Sequence, residues 1–95
     1  MTGSPIHPTD DGLAVEWLMS LLASTGDIYV RPIAGGPTME TSLREELGLD
    51  SIGMVGVFYA VVDELGLDAD ERVVADWRTV ADVVRFARSG AEGAA

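Results

Sequence analysis

Few residues in this chain are of a type that could do chemistry, and most are badly placed for it. The single histidine, His7, lies in a run with Gly3, Pro5 and Pro8 that has no helical periodicity to hold it against a serine, so a Ser-His-Asp site has no base. There is no cysteine, hence no thiolate nucleophile and no disulfide framework, and with one histidine a transition-metal site has too few ligands. Asp68, Asp70 and Glu71 lack the ligand spacing and central glycine of a twelve-residue calcium loop. The other carboxylates read mainly as a solvated face. What remains is Leu47-Gly48-Leu49-Asp50-Ser51-Ile52, a turn that presents Asp50 and Ser51 at the start of a helix. Alone, such a serine is most often a helix cap. The same position also offers an exposed hydroxyl at the positive end of a helix dipole, where free amides would stabilise an esterified phosphate.

The elements that must position this turn follow from the apolar periodicity. A first helix starts near Asp10 or Asp11, whose carboxylates suit the unpaired amides of a first turn, and ends at Gly26. Its stripe is read as Leu13, Trp17, Leu18, Leu21 and Leu22, with both tryptophans, Trp17 and Trp77, expected in the core. Residues 26–41 form a long connection broken by Pro32, Gly35, Gly36 and Pro37 and pinned by Ile28, Val30 and Ile33. Ser42 and Glu45 predict a capping box and a short helical turn through Leu47. The second long helix runs from about Ser51 to Leu65, closed by Gly66, with a core stripe of Met54, Val57, Phe58, Val61 and Leu65. Ile52, Val55, Tyr59 and Val62 make a second apolar strip on it, and Gly53, Gly56 and Ala60 a strip of small residues. A last helix begins near Thr79, with Asp82 three residues on, and buries Val80, Val83, Val84 and Ala87.

The predicted fold is all-α: a bundle of three main helices plus one or two short ones, with the long loop between the first two. Residues 1–9 are read as a flexible arm, 10–89 as the one domain, and 90–95 as a disordered Gly/Ala tail. Sixteen acidic residues against six basic ones give a formal charge of -10 and a pI near 4.1. That field repels nucleic acid and anionic lipid and draws basic protein surfaces. No apolar run approaches the ~20 residues needed to cross a bilayer. Nor does the start resemble a signal peptide, so a cytoplasmic location is expected.

In this setting the turn and its neighbours resemble the acyl and peptidyl carrier protein family. Besides Leu-Gly-Leu-Asp-Ser-Ile, the resemblance rests on Ser42-Leu43 and Glu46-Leu47 before it, and on the apolar helix leading to Leu65-Gly66-Leu67. Arg78-Thr79-Val80-Ala81-Asp82-Val83 looks like the start of the family's last helix. It spans roughly residues 11–89. The resemblance implies that Ser51 is the attachment point for 4'-phosphopantetheine, moved from coenzyme A by a separate phosphopantetheinyl transferase that uses magnesium. The arm's thiol would hold acyl or aminoacyl groups as thioesters for partner enzymes, which supplies sulfur to a chain without cysteine.

On this reading the chain is a non-catalytic monomer. Asp50 helps to orient the modifying enzyme or caps the helix, two readings of equal weight, and Ile52, Met54, Val55 and Tyr59 are candidates for the face that meets partners, although Met54 also falls on the core stripe. Gly53, Gly56 and Val62 stand where many carriers have acids, which suggests docking through apolar, close-approach contacts. Leu49 and Asp50 before the serine, with the strong negative charge, favour an acyl carrier of a polyketide, fatty-acyl or related pathway. A peptidyl or aminoacyl carrier of a nonribosomal-peptide pathway is the alternative, and a cofactor-free helical interaction domain a distant one.

Overall fold

The computed structural model describes residues 10–26 and 28–93, with side chains through Gly90. The arm expected over residues 1–9 lies outside them. Among the described residues the chain is all-helical: α1 (Asp11–Thr25), α2 (Ser51–Leu65), a 3₁₀ helix (Glu71–Asp76) and α3 (Val80–Gly93).

Helix α1 starts where its capping chemistry requires. The Asp10 carboxylate accepts from the amides of Gly12 and Leu13 at 2.8 and 3.2 Å, and the helix stops at Gly26 in the left-handed region. Its inward face is rotated from the predicted stripe. Ala14, Val15, Leu18 and Leu22 are buried, Trp17 and Leu21 only partly, and Leu13 is 50% exposed. The helix is apolar over a wide arc, so periodicity fixes that it is a helix but not which of two adjoining stripes turns inward. The small Ala14 is fully buried there.

Helix α2 buries Met54, Val57, Phe58 and Val61 of its predicted stripe, while Leu65 at its end is only partly buried. The Phe58 ring lies 5.8 Å from Phe86 of α3 and 6.3 Å from Trp77, and those two rings lie 5.5 Å apart. These tilted contacts join α2, the end of the 3₁₀ helix and α3 in one core. Trp77 is buried as expected.

The connection between α1 and α2 is irregular but not loose. Ile28, Val30, Ile33 and Met39 pack on the core. Its second half is stitched to the start of α3: Leu43 N donates to Arg78 O, Val80 N to Thr41 O and Ala81 N to Met39 O, at 2.8–3.0 Å. Ser42 and Thr79 form an isolated antiparallel bridge. Buried Thr41 is satisfied by accepting from Thr38 N at 2.8 Å.

Two sequence expectations need correction. Residues 43–46 are turns rather than a helix, and the reciprocal cap is closed by Glu46, not Glu45. Ser42 Oγ accepts from Glu45 N, while Ser42 N donates to Glu46 Oε1 at 2.7 Å. The amides of Glu46 and Leu47 both turn back to the Ser42 carbonyl, which brings the side chain four residues on under the Ser42 amide. Helix α3 extends through Gly93. At its Gly90 an added Cβ would stand 2.6 Å from a Leu67 methyl, so close packing on Leu67 supports a segment of weak helix propensity.

Candidate functional site

The turn before α2 alternates between core and solvent. Leu47 and Leu49 are buried at 1% and 3% exposure, while Gly48 between them and Asp50 after them face outward. The two leucines anchor the turn by apolar burial, at about 1.5–3 kcal/mol each. Gly48 has φ 75°, a conformation that suits glycine, and the Arg31 guanidinium lies over it. That guanidinium donates to the Glu45 carbonyl at 3.0 Å, and Arg31 N donates to Leu47 O at 2.9 Å. Leu49 N donates to Leu43 O at 2.9 Å and closes the platform.

On this platform Asp50 is extended and caps α2. Its Oδ1 accepts from Gly53 N at 2.7 Å, and its carbonyl takes the Met54 amide at 2.8 Å. Ser51 is the first residue of the helix and is exposed. First-turn amides have no partner within their own helix. Asp50 satisfies that of Gly53, which leaves the amides of Ser51 and Ile52 for solvent or an anion.

Of the residues singled out in the sequence, Asp50, Ser51 and Ile52 come together at this helix start, all exposed, Ile52 at 83%. Val55 is half-buried one turn on, and Tyr59 is 48% exposed one further turn along. Met54 does not belong to the face: it is 1% exposed in the core, because it sits on the inward stripe with Val57 and Phe58.

The small-residue strip is also filled from within. A Cβ at Gly56 would stand 3.3 Å from Ile28 Cγ1, so the close approach at this glycine is made by the α1–α2 connection, not by a partner. Gly53 is crowded by Leu49 and the capping oxygen of Asp50. Val62 packs partly against the core.

Two residues near the site carried no sequence signal. Arg31 reaches the turn across the loop, a contact set only by the fold. Glu71, at the start of the 3₁₀ helix, accepts a hydrogen bond from Tyr59 Oη and ties that helix to the exposed side of α2. This bond and the charge of Glu71 hold the Tyr59 phenol above its ordinary range. Beside it, Asp70 accepts from the Arg72 side chain and amide, which lowers its carboxyl below the usual range.

Among the described residues no group of three or more His, Cys, Asp or Glu side chains is placed to hold a metal ion, and no helix is long and apolar enough to cross a membrane. The family model described as phosphopantetheine attachment site matches residues 29–87, more than half of the chain, and includes the whole platform and the start of α2. No curated protein and no solved structure gives a significant match.

Proposed function

Because the chain belongs to the phosphopantetheine attachment site family, we propose that it is an acyl carrier whose arm is borne on Ser51. The family's group is covalent 4'-phosphopantetheine, and such a domain carries the arm to enzymes that act on its load. The observation that carries the proposal is the exposed hydroxyl at the first position of α2, on a turn fixed from below by buried Leu47 and Leu49.

The residues present fit the group. A phosphate esterified to Ser51 Oγ has the unpaired amides of Ser51 and Ile52 within the same turn and the helix dipole behind them. When bound, the group supplies a thiol at the end of a flexible arm. What this chain does is narrower. Leu47, Leu49 and Arg31 hold the turn still, Asp50 fixes the first turn of α2, and Ser51 offers its oxygen to the transferase. The base that takes the Ser51 proton, and the magnesium that steadies the phosphates of coenzyme A, belong to that enzyme. Family members of this kind are generally not catalysts themselves.

The face that meets partners is read as Ile52, Val55 and Tyr59, at spacings that put them on one side of α2, with Glu71 attached through the Tyr59 hydroxyl. Ile52, 83% exposed beside the attachment point, and Tyr59, 48% exposed, are the large apolar side chains this side of α2 offers to a partner. Leu49 and Asp50 before the serine and the charge of -10 favour acyl over aminoacyl cargo, in polyketide or other specialised synthesis by a cytoplasmic, monomeric carrier.

Incubation with coenzyme A, magnesium and a broad-specificity phosphopantetheinyl transferase, followed by intact-mass measurement, tests the proposal. The chain should gain one phosphopantetheine and Ser51→Ala none. No gain on the parent chain, or a gain that survives Ser51→Ala, refutes it. Loading the modified chain with acyl and aminoacyl donors in parallel decides the cargo class. If partner binding collapses in high salt yet tolerates Val55→Asp and Tyr59→Ala, docking is electrostatic and the apolar face is wrong.

A further inference from the structure

In a chain dominated by acids, the arginines are unevenly paired, and even without a close partner for its guanidinium the charge of Arg78 helps to lower the Asp82 carboxyl. All six basic residues counted with lysine are arginines. Arg72 pairs with Asp70 at 2.9 Å, Arg85 with Asp82 at 3.3 Å and Arg88 with Asp11 at 3.1 Å, while Arg31 donates to the Glu45 carbonyl. Among the described residues, Arg44 and Arg78 are the two whose guanidinium groups make neither a hydrogen bond nor an ion pair within 4 Å. Both line the same hollow of about 350 Å³, between the 42–45 turn and the segment that leads from the 3₁₀ helix into α3. The hydroxyl residues Ser42 and Thr79 line it with them, as do buried Trp77 and one carboxylate, Glu45.

The backbone beneath these side chains is fixed without a ligand. Leu43 N donates to Arg78 O at 2.9 Å, Ser42 and Thr79 form a bridge, and the amides of Arg78 and Thr79 both donate to Asp82. The hollow therefore keeps its two walls together, and an incoming anion need order only the arginine side chains. Two guanidiniums and two hydroxyls lining one hollow offer many donors. A carboxylate has only two oxygens and is satisfied by one guanidinium fork, whereas a phosphoryl group has three or more oxygens and up to two negative charges to distribute.

We propose that the Arg44–Arg78 hollow is a binding site for a phosphoryl group, either free phosphate or the terminal phosphate of a small phosphate monoester. The site is separate from Ser51 and does not depend on the carrier reading. Its affinity is set by two opposing fields: the local pair of arginines attracts, and the surrounding charge of -10 repels. Binding is accordingly weak, on the order of millimolar. Glu45, the one carboxylate lining the hollow, works against it.

The test is a backbone amide NMR titration of the unmodified full chain at constant ionic strength, with inorganic phosphate in one arm, adenosine 5'-monophosphate in a second and chloride in a third. Phosphate should give saturable shifts concentrated at residues 42–45 and 77–79. Arg44→Ala and Arg78→Ala should each weaken it about tenfold, and Glu45→Gln should tighten it about threefold. Equal affinity for phosphate and the monophosphate assigns recognition to the phosphoryl group alone. Tighter binding of the monophosphate with added shifts on the rim assigns it to an organic ester. Shifts that fail to saturate, that appear equally with chloride, or that also move Arg72 and Arg85 overturn the proposal. Should an arginine variant lose its fold, an unchanged affinity in Glu45→Gln overturns it independently.

Discussion

Asp50 has two candidate roles, as the cap of α2 and as a charge read by the modifying enzyme, and paired substitutions separate them. Its Oδ1 accepts from Gly53 N at 2.7 Å. Asp50→Ala removes that acceptor and leaves a third first-turn amide unpaired, at a cost of about 1 kcal/mol. Asp50→Asn keeps an oxygen in the same place and loses only the attraction between the carboxylate and the helix dipole, about 0.3 kcal/mol at an exposed site. In a domain of this size 1 kcal/mol moves the melting temperature by roughly 4–8 °C. Asp50→Ala should therefore melt about 5 °C below the parent chain and Asp50→Asn about 2 °C below, by circular dichroism of the unmodified protein. The rate of phosphopantetheine transfer, followed by intact mass well below either melting point, reads the second role. If Asp50 only caps, Asp50→Asn is modified at the parental rate; if its charge guides the enzyme, Asp50→Asn is as slow as Asp50→Ala. An Asp50→Ala protein that melts within about 1 °C of the parent would refute the capping geometry described for this turn.

The remaining predictions use other contacts of the same fold. The hydrogen bond from the Arg78 amide, followed by that from Thr79, holds the Asp82 carboxyl below its ordinary range against the opposing effect of burial. Its stabilising contribution is thus full above the usual carboxylate pKa, about 3.9, and is lost as pH falls through the lowered value. The melting-temperature gap between the parent and Asp82→Asn should be largest near neutrality and close in acid, and a gap constant with pH refutes the linkage. Gly56→Ala gains about 1 kcal/mol of helix propensity but crowds Ile28, so it should be close to neutral alone and stabilising by the full amount in an Ile28→Ala background. The same effect in both backgrounds would show that Ile28 does not limit residue 56. Tyr59→Phe should abolish a phenol titration lying above the ordinary tyrosine range and speed amide exchange across residues 71–76; unaltered exchange there would mean that the bond to Glu71 does not hold the 3₁₀ helix.

How much of this was legible in the residues depends on whether the signal was local. The capping carboxylates at 10 and 50, the stop glycines at 26 and 66 and the inward stripe of α2 act within one or two turns, and they are readable one by one. The exposed turn carrying Ser51 is readable for the same reason. The facing of α1 is not, since Leu13, Trp17 and Leu21 rival Ala14, Val15, Leu18 and Leu22, and only the partner helices choose between them. Ile28 filling the notch at Gly56, Arg31 over Gly48 and Leu67 against Gly90 are contacts between residues distant in sequence. A glycine that looks like an invitation to a partner is in one of these cases already occupied by the protein's own chain. Met54 was legible in both directions, and the core stripe decides it.

The stitches between the 39–43 segment and residues 78–81 bear on the order in which the molecule becomes competent. The amide of Leu43, whose carbonyl in turn receives Leu49, finds its acceptor at Arg78, more than thirty residues later. During synthesis the serine and its helix therefore emerge well before the support under their turn can close. Loop-closure entropy opposes that closure until the packing of α3 makes it worthwhile. An enzyme that recognises the finished turn would then act on complete chains and pass over partial ones, so attachment of the arm would mark a carrier that has folded to its last helix.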